Sequence, residues 1–328
     1  MKYVIVGTGN ISHTYLQALQ ALPASEAVGF ISRSKTTEAT PGALPYWPTL
    51  AAVDRPYDAV IVTTPNGLHH HSAIEAARLG KHILVEKPLD ISQAAMDAMI
   101  SAAQQHHVTL AVSYQRRTNP DNQAIKALLE QNAFGRIYAA DLSCRFWRDE
   151  AYYASADYRG GYAIDGGGVF MQQASHNIDN YVWLFGLPES LQGELDTFAH
   201  QIEAEDHGAV VLRYANGMIG TLVASTCARP GYPPRLEVSS EKGTFTLLND
   251  CISEWYIDGI DNPASSVPPA PDGGASTPNV SDSSRHEAII TDFEQAINQG
   301  TTPLADGSDA RRATELILRI YHCRAREV

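Results

Sequence analysis

Three groups of residues have types and spacings suited to chemistry. Gly7-Thr8-Gly9-Asn10-Ile11-Ser12 follows an apolar run and opens a helical pattern. A first glycine permits a tight strand-to-helix turn, a second lets backbone approach a pyrophosphate, and the helix start offers N–H groups to the anion. Ser12 stands where such turns usually place a third glycine and is small enough for close helix–strand packing. Lys87, within Glu86-Lys87-Pro88, falls at the carboxyl end of an apolar run, where open α/β sheets bind ligands. An ammonium there suits the stabilisation of alkoxide character while hydride leaves the adjacent carbon. The plainer alternative is a loop lysine paired with Glu86. Gln172, His176 and Asp179 are spaced i, i+4, i+7 on a helix expected to start near Gly168, which puts them on one stripe. Ala174, Ile178, Val182 and Phe185 fall opposite and should face the core. Histidine, with an ordinary pKa near ~6.5, suits proton transfer at neutral pH. The alternative for His176 is a hydrogen bond within a domain interface. An amide cannot exchange a proton at any relevant pH, so Gln172 can orient a hydroxyl but not act as base.

The end of the second apolar run bears on cofactor choice. Enzymes selective for NAD normally place Asp or Glu there, on the adenosine ribose 2′-OH. This chain reads Ser32-Arg33-Ser34-Lys35. Serine hydroxyls can donate to a 2′-phosphate and Arg33 or Lys35 can neutralise it, so NADP(H) is favoured over NAD(H). The plainer reading makes Arg33 and Lys35 loop charges and lets the site accept both.

Such residues need elements to position them. Tyr3–Val6, Ala27–Ile31, Ala59–Thr63, His82–Val85 and Thr109–Ser113 read as buried strands. Ile11–Leu22, His69–Leu79 and Ser92–Gln105 read as helices, with Ser92 as N-cap and Gly80 as terminator. This alternation predicts an α/β fold, a Rossmann domain over residues 1–118 built on a parallel sheet. Residues 119–328 change rhythm. A helix at Asp121–Gln131 precedes strand-like stretches at Arg136–Trp147, His207–Tyr214, Met218–Ser225, Arg235–Ser240 and Thr244–Leu248. Asn216-Gly217 between two alternating runs signals a hairpin. The second domain is therefore expected to be α+β, with a large, mainly antiparallel open sheet. Asn262–Ser284 reads as an exposed loop, and helices near Arg285–Asn298 and Asp309–Arg324 follow.

Composition narrows the function classes. The chain of 328 residues carries a net charge of -13, with pI ≈ 5.3. That opposes general nucleic-acid binding, which needs a basic surface. No stretch approaches the ~20 apolar residues that span a bilayer, and the start lacks a signal-peptide pattern, so a cytoplasmic address is expected. Cys144, Cys227, Cys251 and Cys323 are far apart and form no C-x-x-C pair, which fits reduced thiols and no cysteine-based metal site. His69-His70-His71 suggests a metal, but neighbouring helical residues point ~100° apart and cannot converge unaided. No metal is expected. Arg145, Arg148 and Arg159 are either solvated charges or anion contacts.

Further motifs carry a family resemblance. Thr64-Pro65-Asn66-Gly67-Leu68-His69, then Gly80-Lys81-His82-Ile83-Leu84-Val85-Glu86-Lys87-Pro88, then Gly166-Gly167-Gly168 before His176-Asn177-Ile178-Asp179, closely resemble the Gfo/Idh/MocA oxidoreductases. These are the relatives of glucose–fructose oxidoreductase and inositol dehydrogenase. Tyr114-Gln115-Arg116-Arg117 and Gly135-Arg136-Ile137 fit the same pattern. The resemblance implies hydride transfer between a nicotinamide and a hydroxyl of a sugar, polyol or sugar derivative, with Lys87 and His176 catalytic. It implies cofactor contacts from Gly7, Thr8, Gly9, Asn10, Ile11, Ser32, Arg33, Thr64, Pro65, Asn66, His69, Glu86 and Lys87. It implies substrate contacts from Gln115, Arg116, Arg148, Tyr153, Arg159, Gln172, His176 and Asp179. It also implies a cis Lys87–Pro88 bond and a homo-oligomer, dimer or tetramer, formed through the second sheet. Many relatives carry Asp where this chain has Gln172, which shifts the acid/base burden to His176 and Lys87. The stretch from Arg145-Phe146-Trp147-Arg148 through Tyr152-Tyr153 and Tyr158-Arg159-Gly160 looks most like members acting on nucleotide-linked amino sugars. An NAD-dependent glycosidase and a non-catalytic cofactor sensor are the competing readings of the same fold. Net nicotinamide turnover separates the first, and the intact Lys87 and His176 count against the second.

Overall fold

A computed structural model describes residues 1–32, 44–264 and 283–323. Arg33, Ser34, Lys35, Arg324 and residues 265–282 of the Asn262–Ser284 loop lie outside them. The chain divides into two compact units, Met1–Gln115 with Val280–Arg311, and Arg116–Asn279 with Arg312–Val328.

In the first unit, β1 (Lys2–Val6), β2 (Glu26–Ile31), β3 (Tyr46–Trp47), β4 (Ala59–Val62), β5 (His82–Val85) and β6 (Leu110–Val112) form one sheet in the order β3-β2-β1-β4-β5-β6. Every pairing is parallel. The strands are near-continuous apolar runs because α1 (Asn10–Ala21), α2 (His69–Arg78) and α3 (Gln93–Gln105) cover faces that in antiparallel sheets stay wet. Ser92 caps α3 as expected, its Oγ accepting from the Ala95 N–H at 3.2 Å. The order reverses between β1 and β4, which makes the carboxyl ends of these strands the ligand-binding edge of this unit.

The first unit is discontinuous in sequence, unlike the single cut expected after residue 118. α7 (Ser284–Gln299) returns to it, as does the start of α8 (Gly307–Cys323). The cause is the apolar stripe of α7. Ile290 and Phe293 are fully buried in the cluster built from Tyr3, Ile5, Tyr15 and Leu19, and each such side chain contributes about 1.5–3 kcal/mol.

The second unit contains α4 (Pro120–Glu130), β7 (Ile137–Arg145), α5 (Glu150–Tyr153), α6 (Ser175–Phe185), β8 (Ser190–Asp196), β9 (His207–Arg213), β10 (Ile219–Ser225), β11 (Arg235–Ser240), β12 (Gly243–Leu248) and β13 (Cys251–Ile257). Its seven-stranded sheet has the order β13-β12-β11-β7-β10-β9-β8. All pairs are antiparallel except β7 with β10. The Asn216-Gly217 turn joins β9 to β10, with the Tyr214 N–H donating to the Met218 carbonyl at 3.0 Å. One face is covered by Ile125 of α4, Ile178, Tyr181 and Val182 of α6, and Leu316, Ile317 and Ile320 of α8. The other face presents alternate residues, among them Val211, Ile219 and Tyr256, which are 52%, 43% and 69% exposed. No helix among the described residues is long and apolar enough to cross a membrane.

Candidate active site

The glycine-rich turn stands at the carboxyl end of β1. Gly7 has φ +107, and a Cβ there would lie 2.8 Å from Thr63 Oγ1 and 2.9 Å from its carbonyl oxygen, so this position accepts only glycine. The crowding has a purpose: Thr63 Oγ1 donates to the Val6 carbonyl at 2.8 Å and locks β4 to the turn. Gly9 differs, since a Cβ there would meet nothing within 4 Å. It is the N-cap of α1 and makes no side-chain cap bond. Thr8, Gly9 and Asn10 are exposed. An open backbone before an uncapped helix start fits a dinucleotide pyrophosphate. Ser12 is buried, its Oγ donating to the Gly9 carbonyl at 2.7 Å, which fits its packing role. Ser32 directly follows β2, and Thr64, Pro65 and Asn66 follow β4. These residues share the same edge of the sheet.

Lys87 follows β5 at that edge and is half-buried, and the Lys87–Pro88 bond is cis. Two residues assigned to the cofactor in sequence instead serve the loop. Glu86 points inward: Oε1 accepts from the Tyr15 hydroxyl at 2.8 Å and Oε2 from the Lys87 N–H at 2.9 Å. His286 of α7 places its Nε2 3.8 Å from Glu86 Oε1. Burial works to raise the Glu86 carboxyl, but His286, Lys87 and Tyr15 outweigh it and hold it below its ordinary range. His69 is fully buried, with Nδ1 2.9 Å from the Pro88 carbonyl and Nε2 2.8 Å from that of Thr64. It ties the loop after β4 to the loop after β5 and has no free edge for a cofactor. Burial lowers its basicity. His286 left no signal in the sequence, since its partner lies in another motif 200 residues away (286 − 86).

In the second unit, the helix bearing His176 begins at Ser175, not near Gly168. The intervening residues form turns around a buried carboxylate. Glu205 accepts from the N–H groups of Gly168 at 3.1 Å and Phe170 at 3.0 Å, and from the Tyr321 hydroxyl at 3.0 Å. Burial pushes its carboxyl up, and these donors offset that only in part. A Cβ on Gly168 would sit 1.7 Å from the Glu205 carbonyl oxygen, and one on Gly167 would collide with the Tyr321 hydroxyl, which explains the last two glycines of the run. Gln172 therefore precedes the helix, and its amide donates to the Asp165 carbonyl at 2.8 Å. His176 is half-buried in the first turn of α6. Ala174, Ile178 and Val182 are buried as expected, and Phe185 packs on the same core.

Asp179 departs from its expected place on a ligand-facing stripe. It is 0% exposed, with Oδ2 and Oδ1 accepting from Arg117 Nε at 2.9 Å and Nη2 at 2.6 Å. Arg116, expected at the substrate, pairs with the buried Asp250. Tyr153 is buried, sharing a 2.9 Å hydrogen bond with Thr226. Gln115, half-buried in the short 3-10 turn Gln115–Thr118, ends the first unit.

Arg148 and Arg159 converge on Tyr152. Their guanidinium carbons lie 5.5 and 4.5 Å from its ring centroid, close enough for cation–π attraction. The Tyr152 hydroxyl accepts from Gln173 Nε2 at 3.0 Å. Arg148 is only 8% exposed. Burial, and repulsion from Arg159, make its positive charge less favourable than usual. Arg145 is exposed on β7, its Nε donating to Ser143 Oγ at 3.2 Å. Two cations are thus held at one aromatic ring, and Arg148 Nη1 also donates to the Trp147 carbonyl at 2.6 Å.

A parallel sheet with this order and a glycine-rich turn at its reversal point defines a dinucleotide-binding Rossmann unit. Residues 1–114 match the model of an oxidoreductase family with an NAD-binding Rossmann fold, and residues 122–246 match the GFO/IDH/MocA C-terminal domain. The chain belongs to the GFO/IDH/MocA family of oxidoreductases. It is similar to the WlbA dehydrogenase of Bordetella pertussis, solved with NADH and UDP-GlcNAcA, at 30% identity and TM-score 0.85, over 100% of this chain and 97% of that one. A WlbA dehydrogenase from Chromobacterium violaceum, with the same two ligands, is 27% identical with TM-score 0.84, covering 99% and 93% of the two chains. The scyllo-inositol 2-dehydrogenase (NADP(+)) IolW of Bacillus subtilis is 26% identical over 58% of this chain and 52% of its own length. The chain thus spans about half the length of that curated relative.

Proposed function

We propose that this chain is a nicotinamide-dependent dehydrogenase acting on a hydroxyl of an anionic, nucleotide-linked sugar. The observation that carries the reading is the Arg148–Tyr152–Arg159 cluster, since guanidinium groups match carboxylate and phosphate oxygens bidentately. The UDP-GlcNAcA bound to the two WlbA dehydrogenases supports an anionic sugar conjugate as substrate. Gly7 to Ile11, Ser32 and Thr64 to Asn66 would hold the dinucleotide, and when bound it supplies the hydride acceptor. His176 takes the proton of the reacting hydroxyl, and the Lys87 ammonium stabilises the alkoxide character that develops on that oxygen. Gln172 orients the hydroxyl without titrating.

We also propose NADP(H) as the preferred cofactor, because Ser32 rather than a carboxylate follows β2, and IolW is named for NADP(+). A second copy of the chain is proposed to cover the exposed face of the second sheet, where Val211 and Ile219 stand out to solvent.

Nicotinamide absorbance with UDP-GlcNAcA, with its analogue lacking the carboxylate, and with inositol tests the substrate reading. Turnover with net cofactor reduction and a kcat/KM at least ~10-fold higher for UDP-GlcNAcA is expected, the value of one charge-assisted contact. An equal kcat/KM for inositol and UDP-GlcNAcA would end it. The same assay with both cofactors tests the second proposal, and a preference for NAD(H) refutes it. Light scattering of Ile219→Glu tests the third, with a smaller species expected than for wild type.

A further inference from the structure

His200, Asp206 and Cys227 bring an imidazole, a carboxylate and a thiol within 4.8 Å of one another in the second unit. By residue type the trio suits a metal, but each group is already directed to protein. Asp206 Oδ1 accepts from the Phe198 N–H at 2.9 Å, and Oδ2 from the N–H groups of Ala199 and His200 at 2.8 and 3.1 Å. Cys227 Sγ lies 3.6 Å from the Asp206 carbonyl. Burial works to raise the Asp206 carboxyl, but these donors hold it below its ordinary range, so it is an ionised acceptor. The His200 Nδ1 stands 2.9 Å from Asp206 Oδ2, and its Nε2 stands 2.9 Å from the Arg148 carbonyl.

Both partners of the ring are acceptors only. A neutral imidazole has one N–H and one lone pair and can serve one of them, whereas the imidazolium serves both. We infer that His200 is held as an imidazolium by Asp206 and is a positioning residue that fixes the Arg148 backbone under the anion-binding guanidinium. The positioning role rests on the reading of Arg148 as a substrate contact. The rest of the packing agrees. The Arg148 N–H donates to the Thr226 carbonyl at 3.0 Å, so the residue's backbone is held at both its N–H and its carbonyl. Tyr153 lays its ring 4.7 Å from that of His200 while its hydroxyl meets Thr226 Oγ1. Trp147 lies on another side, its ring centroid 6.5 Å away. The charged and titratable groups around the ring are thus Asp206, Cys227, Tyr153 and Arg148. His69 also faces only acceptors, the carbonyls of Pro88, Leu89 and Thr64, but no carboxylate bonds to its ring and burial lowers its basicity.

Ring-15N NMR of the histidine-labelled full chain, without substrate at neutral pH, reads the first part. His200 is assigned by its absence in His200→Gln, and both nitrogens are expected to carry protons. A single neutral tautomer overturns the inference. Steady-state kinetics with UDP-GlcNAcA read the second part. His200→Gln and His200→Phe are expected to raise its KM about tenfold, as loss of a charge-assisted hydrogen bond does. Their kcat and their KM for the nicotinamide cofactor should stay near wild type. An unchanged KM in His200→Phe overturns the positioning role. If Arg148→Ala itself leaves KM unchanged, the substrate reading and the positioning role fall together, and the NMR result still decides the protonation state.

Discussion

Asp179 gives the sharpest test of how structure reassigns a motif residue. Its carboxylate and the Arg117 guanidinium are 0% and 1% exposed and bonded through two N–H groups. Removing one partner of such a pair strands a buried charge and costs about 3–5 kcal/mol. For a unit of this size each kcal/mol moves the midpoint by roughly 2–4 °C. Asp179→Ala should therefore melt roughly 6–20 °C below wild type by calorimetry. Arg117→Met combined with Asp179→Leu should recover most of that loss, because no unpaired charge remains. A residue that touches substrate behaves differently, raising KM with little change in melting. An Asp179→Ala protein that melts within about 2 °C of wild type but binds substrate poorly would refute the strut and restore the substrate contact.

Other outcomes follow from the same geometry. Lys87→Ala and His176→Ala should each lower kcat by roughly two or more orders of magnitude while sparing cofactor affinity; near-wild-type turnover in His176→Ala would remove it from the proton chemistry. Gly9→Ala should leave melting unchanged, since its Cβ meets nothing within 4 Å, yet weaken cofactor binding measured by fluorescence titration. Gly7→Ala should destabilise the fold itself, because its Cβ meets Thr63 at 2.8 Å. Acid should weaken the first unit in two stages, followed by urea titrations across pH. Burial depresses His69 in the folded chain, so stability is full above the unfolded value of ~6.5 and falls as pH drops below it. Glu86, also depressed, contributes stability above its unfolded value of ~4.3 that is lost as pH falls through the lower folded value. His69→Gln should abolish only the upper stage.

Apart from the two-residue edge strand β3, the first unit's sheet was legible because buried parallel strands are written as plain apolar runs, and the turn after β1 announces itself by its glycines. The second unit's edges were not. β8 reads Ser-Leu-Gln-Gly-Glu-Leu-Asp, an edge strand with charge on its open side. β13 hides behind Asn249 and Asp250, both at positive φ in a two-residue hairpin turn. The start of α6 was misplaced because Glu205, 37 residues after Gly168 (205 − 168), supplies the bonds that keep the preceding backbone in turns. At the candidate site the place of Lys87 after β5 could be read from its motif. The inward turn of Glu86, His69 and Asp179 could not, since only tertiary partners decide which way a carboxylate or imidazole points.

The return of α7 to the first unit fixes an order of events during synthesis. Tyr3 and Ser25 both donate to Glu294 Oε1, at 2.9 and 2.7 Å. Ile290 and Phe293 cap the cluster begun by Tyr3 and Ile5. A ribosome makes β1 first, but these partners emerge only after the whole second sheet has been translated. The nascent Rossmann sheet must wait with one apolar flank bare, in contrast to domains that close as they leave the exit tunnel. A fragment ending at Gln115 would keep every strand of that sheet and lack this cover, so it would be isolated as an aggregate rather than as a soluble cofactor-binding module.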